Sequence, residues 1–223
     1  MTGEQRISLI AASQSRRVTA VDLVRESLRS AILRGDLPGG TRLVQTEIAS
    51  QLDVSTTPVR EAMRDLASEG LITLDSHRIG TVRRPDWEEM SEIVEIRRAL
   101  ERVALQRAMD NITETQMAQA RVIADELRED VDLGTWVQKN SEFHSIFHWA
   151  TSTGRLANFL VALESAGGVF VAQAQRLHPD IRERAIADHY ALLDAFDARD
   201  VDAAFEIQYH HVNLPLEAAE MEG

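Results

Sequence analysis

Apolar residues in the first third of the chain recur at helical spacing. From Thr19, the residues Val21, Val24, Leu28, Ala31 and Ile32 fall on one face and stop at Gly35, which predicts a helix. Asp36-Leu37-Pro38-Gly39-Gly40 reads as a turn. A short helix opens at Thr46 with Ile48, Ala49 and Leu52 inward. A third spans residues 55–70: Thr57 suits a cap, Pro58 the first helical position, and Gly70 a stop. Within it Val59, Ala62, Met63 and Leu66 share one face, while Arg60 and Arg64 stand one turn apart on another. Residues 71–74 and 79–83 flank a polar tip, Asp75-Ser76-His77-Arg78, and predict a hairpin. Three helices and a hairpin make a winged helix-turn-helix over residues 17–84. Residues 1–16 show no sustained pattern and are expected to form a flexible arm.

Beyond Pro85 the pattern is helical throughout. Helices are expected over residues 87–110 (Ile93, Ile96, Leu100, Val103 and Ala104 inward), 113–130 (Met117, Ala120, Ile123 and Leu127), 136–151, 156–176, 179–199 and 201–221. Gly134, Gly154 and residues 197–200 separate them. Short connections imply antiparallel neighbours in a bundle of about six helices. The fold class is therefore mainly α, a winged helix-turn-helix followed by an all-α domain over residues 88–215.

Composition restricts the chemistry. Aromatics make up 5% of the chain against 44% hydrophobic residues, which favours helices over a sandwich or barrel. Cysteine is absent, so disulfides, thiolate metal sites and thiol catalysis are excluded. The net charge of −12 opposes nucleic-acid binding, but residues 1–86 carry 12 Arg and 11 Asp+Glu, so the excess acid lies almost wholly beyond them. A near-neutral domain with its arginines on one face can still bind phosphates. No apolar run approaches the roughly 20 residues that span a membrane. The N-terminus lacks the layout of a secretory signal, so a cytoplasmic location is expected.

The stretch LRSAILRGDLPGGTRLVQTEIASQLDVSTTPVREAMRDLASEGLI resembles the DNA-binding domain of the GntR family of bacterial transcription regulators, and the likeness runs through residues 19–83. It implies that the third helix enters the major groove of a double-stranded operator and that the wing approaches the minor groove. Arg60 would contact a base or phosphate, and Arg64 the phosphate backbone. Thr57 and the N–H groups beside Pro58 would hold a phosphate. His77, Arg78 and Gly80 would form the wing contact. Thr56 stands where many members carry arginine, so a guanine contact is lost and relatives' operators do not transfer. The alternative for Arg60 and Arg64 is a solvated face paired to Glu61 or Asp65. A homodimer would read a palindrome with half-sites about 34 Å apart.

Residues 88–215 resemble the FCD effector domain of the family's FadR-like branch. Six of the seven histidines lie beyond residue 140. The resemblance assigns Asn140, His144, His189 and His211 as ligands of a divalent metal, Zn²⁺ or Ni²⁺. Asn140 replaces an aspartate and weakens that set by one negative charge. His148 and His210 compete with His144 and His211, and His178 reads as a loop residue. The implied effector is a small organic acid whose carboxylate fills an open metal position. Arg97 shares the face of Ile93 and either meets that carboxylate or pairs with Glu101. Two other readings stay open: a helical metalloenzyme, for which no HExxH-type base is present, and a metal-free regulator that binds acyl-CoA.

Overall fold

A computed structural model describes residues 19–75, 79–84, 86–151 and 154–221. The expected arm over residues 1–16 and the wing-tip residues His77 and Arg78 lie outside them.

Thr19 opens α1 (Ala20–Arg34) through a reciprocal capping box with Asp22, and Gly35 closes it at φ 86°. The first domain continues through β1 (Arg42–Leu43), α2 (Gln45–Gln51), α3 (Thr56–Ser68), β2 (Ile72–Leu74) and β3 (Gly80–Val82). The sheet has the order β1-β3-β2, with both pairings antiparallel. The expected hairpin therefore gains a third strand, which two residues beside a turn give no alternation to reveal.

The entry of α3 differs from expectation by two positions. Ser55 is the N-cap and makes no side-chain cap bond, so Pro58 sits third in the helix rather than first. That position is still in the first turn, where a backbone N–H has no helical partner to lose. At the other end Gly70 adopts φ 74°, and Leu71 N–H donates to the Leu66 carbonyl at 3.0 Å. Val59, Ala62, Met63 and Leu66 are all fully buried. Each large one contributes about 1.5–3 kcal/mol of apolar burial, which fixes the helix's rotation and turns Arg64 outward.

The second domain is built of α4 (Trp87–Asn111), α5 (Glu114–Glu126), α6 (Leu133–Ala150), α7 (Arg155–Leu177), α8 (Asp180–Asp197) and α9 (Val201–Glu220). Three expectations are corrected. First, Gly134 does not separate helices. Asp132 caps α6 by accepting from the Gly134 and Thr135 N–H groups, and a Cβ on Gly134 would lie 3.0 Å from Ser30 Oγ of α1. Second, the buried face of α4 runs through Met90, Ile93, Val94, Arg97, Glu101 and Ala104, leaving Val103 51% exposed and Ile96 and Leu100 half-buried. Apolar residues surround much of this helix, so periodicity alone does not choose the face. Third, α7 is long and apolar enough to cross a membrane by length and composition. It instead packs on α4, α6 and α9 and carries a buried, ion-paired Glu164.

The two domains are in contact. α1 packs against α6 and α7. Arg176 of α7 donates to the Leu33 carbonyl at 2.7 Å, placing a cation at the negative end of α1.

Candidate metal centre and nucleic-acid interface

Three helices bring imidazoles to one point in the bundle. α6 contributes Asn140 and His144 one turn apart, α8 contributes His189, and α9 contributes His211. One ligand nitrogen from each histidine lies within 4.8 Å of the others. His144 Nε2 and His211 Nε2 approach to 2.9 Å. Asn140, His144 and His189 are buried, and His211 is half-buried. Burial pushes the His144 pKa well below the usual value, and the neighbouring His211 and His189 lower it further. Burial, then His211, does the same to His189. Neutral imidazoles offer lone pairs, the form in which histidine binds a metal.

The unsatisfied atoms fit such an ion. Asn140 Oδ1 and both ring nitrogens of His189 are buried without a hydrogen-bond partner. Stranding polar atoms in this way costs roughly 1–3 kcal/mol each, which coordination would offset. Asp188 stands at the rim: its Oδ2 lies 2.9 Å from His210 Nδ1 and 3.6 Å from His211 Nδ1, beyond hydrogen-bond reach, so His211 Nδ1 too is buried without a partner. Pro215, four residues after His211 inside α9, also removes the N–H that would bond the His211 carbonyl. The competing histidines separate cleanly. His210 is exposed beside Asp188, and His148 faces Glu101 at 3.6 Å.

Arg97 points inward as expected, but its anionic partners are resident. Its Nε donates to Glu101 at 3.0 Å and its Nη1 to Glu164 at 2.7 Å, all three side chains being buried. Of the two expectations for Arg97, the pair with Glu101 is the one formed, and Glu164 adds a second carboxylate, while its Nη2 is buried without a hydrogen-bond partner. Burial raises the Glu101 carboxyl, yet Arg97 and His148 outweigh this and hold it at about 2. A cavity of about 10 Å³, room for one water, lies between this network and the histidines, lined by Glu101, His144, His148 and Gln208. Glu101 was legible at i+4 from Arg97. Glu164 and Asp188 were not, since only the tertiary fold brings them in.

On the first domain, Thr56, Thr57 and Arg64 are exposed and Arg60 is half-buried. Among the described residues neither arginine forms an ion pair, and Asp65 lies 3.9 Å from Arg25 instead. Gly80, expected in the wing contact, has a packing role in the structure. It is buried in β3, where an added Cβ would meet Met63 Cε at 2.6 Å and Leu43 Cβ at 3.2 Å. Glycine there lets the sheet close onto α3.

Comparison with known proteins follows this division. Residues 21–82 match the gntR family of bacterial regulatory proteins, and residues 92–214 match the FCD domain. The probable D-xylose utilization operon transcriptional repressor of Paenarthrobacter nicotinovorans is 32% identical over 205 residues, covering 91% of this chain and 89% of the relative. The HTH-type transcriptional regulator McbR of Escherichia coli is 28% identical over 189 residues, covering 79% and 82%. A solved structure of E. coli McbR/YncC superposes with a TM-score of 0.74 at 23% identity, covering 93% of this chain and all of that one. A putative GntR regulator from Rhodococcus sp. RHA1 gives 0.68 at 23% identity, covering 90% and 97%.

Proposed function

The chain belongs to the GntR family of DNA-binding bacterial transcriptional regulators, with an FCD effector domain, and from that premise we propose that a small organic acid bound at a metal in the helical domain sets its affinity for an operator. The observation that carries this reading is the histidine triad with its unsatisfied nitrogens. Asn140, His144, His189 and His211 would hold a divalent ion, Zn²⁺ or Ni²⁺, which when bound supplies a Lewis-acid position for a carboxylate. Arg97 stands against three carboxylates around the triad, Glu101, Glu164 and Asp188. A divalent ion on neutral ligands would balance the two negative charges in excess, leaving its open position as the place where an acid's carboxylate would bind.

The cavity beside His144 holds no more than a water, so an acid entering there has to shift the side chains around it. Glu164 lies on α7, the helix whose far end donates Arg176 to α1. A displacement of α7 would therefore reach the DNA-binding domain through a rigid element, with a coupling of about 1–3 kcal/mol.

At the DNA, Arg60 would contact a base or phosphate, and Arg64 the phosphate backbone. Thr56, Thr57 and the uncapped first turn of α3 would receive a phosphate. A homodimer would present two such helices to a palindrome. The name of the Paenarthrobacter relative supports repression as the mode. Gel shift on the DNA upstream of its own gene tests the assignment. Arg60→Ala should weaken binding at least tenfold, and binding left unchanged would contradict it.

A further inference from the structure

A cleft of about 610 Å³ separates α1 and the turn after α3, at Glu69 and Leu71, from α5, α6 and α7, within the range of small-molecule sites. Its walls mix apolar side chains, among them Leu33, Ile123 and Val161, with a set of polar ones. On α6, Ser141, Ser145 and Trp149 recur at four-residue spacing and all line it. Gln119 of α5 faces them across the cleft. Among the described residues, Gln119, Ser141 and Ser145 make no side-chain hydrogen bond. Trp149 is 46% exposed, the indole lying open to the cleft.

The charges on these walls argue against an anion. Arg25 is held by Asp22 and Asp65, and Arg29 by Glu69 at 2.6 Å and Glu26 at 3.8 Å. Glu26, Glu69, Glu142 and Glu164 line the same space, so carboxylates outnumber guanidiniums. Three polar atoms there are buried without a partner: Glu69 Oε2 and Asn140 Oδ1, acceptors, and Arg25 Nε, a donor. A carboxylate ligand would find no free cation, whereas hydroxyl groups can both donate to Glu69 and accept from Arg25. Serine hydroxyls, an amide and an open indole face complete the chemistry that receives a sugar: hydrogen bonds around the ring edge and a C–H face against the aromatic.

We propose that this interdomain cleft binds a neutral polyhydroxylated ligand, a sugar or alditol, held between α1 of the DNA-binding domain and the 141/145/149 stripe of α6. The site is distinct in chemistry from the acid-binding metal centre, although its inner end reaches Asn140 and Glu164. An occupant would touch both domains at once.

Titration calorimetry on the full-length protein tests this with D-arabinose, D-glucose, D-mannitol, citrate and putrescine as probes. At least one neutral polyol should bind saturably, and Trp149→Ala should weaken it at least tenfold. Ser145→Ala, a smaller change at a helical position, should weaken it more mildly. His144→Ala should leave polyol binding intact, which separates this site from the metal centre. Absence of heat from all three polyols, binding of putrescine or citrate in their place, or polyol binding unaffected by Trp149→Ala would overturn the proposal.

Discussion

His144 is a buried imidazole and, in the proposed site, a metal ligand. His144→Ala should remove one of three nitrogen ligands and lower bound metal per chain at least tenfold by elemental analysis, with helicity unchanged by circular dichroism. Metal retained in the variant would contradict the assignment of the site. Buried imidazoles also predict a pH dependence in chelator-treated protein. Folded His144 and His189 titrate well below 6.5, so the unfolded chain binds more protons as pH falls past that value. Their stabilisation is present in full above pH 6.5 and is lost as pH drops toward their folded values. Thermal midpoints should therefore fall between pH 7 and pH 5, and a flat profile would mean that these rings are solvated.

At the scale of elements, α3 was the most legible. Its apolar stripe, its glycine stop and its arginine face all lay within seventeen residues and needed no distant partner. The first turn was misplaced because Ser55, Thr56 and Thr57 are all competent caps, and the chain uses the first without a side-chain bond. β1 was missed, and Gly134 was misread as a break when it marks close packing on Ser30. The face of α4 was partly misread because its decisive residues are charged. Arg97 and Glu101 are buried through Glu164, 67 residues away, a contact that no local pattern encodes. That tie between α4 and α7 can be tested by itself. Arg97→Met keeps the length, leaves Glu101 and Glu164 as buried carboxylates without their guanidinium, and should cost about 3 kcal/mol in denaturant unfolding. A loss below about 1 kcal/mol would show that the ion pairs add little to the packing of α4 on α7.

Across the whole molecule, the proposed metal ligands come from α6, α8 and α9, while α7 connects the arginine network to the DNA-binding domain. Helical periodicity and a family resemblance pointed to three histidines that the fold does bring together. No local pattern places helices against one another, so the water-sized cavity, the Glu164 partner of Arg97 and the interdomain cleft were not legible. The central claim is that occupancy of the metal centre by an acid changes operator affinity. Its most direct test is fluorescence anisotropy of labelled upstream DNA with metal-loaded protein, titrated with a panel of monocarboxylic and dicarboxylic acids. The account predicts that at least one acid of the panel shifts the dissociation constant by about five- to 150-fold, and that His144→Ala abolishes the shift while still binding DNA. A full shift retained in His144→Ala, or an operator affinity indifferent to metal and to every acid tested, would contradict it.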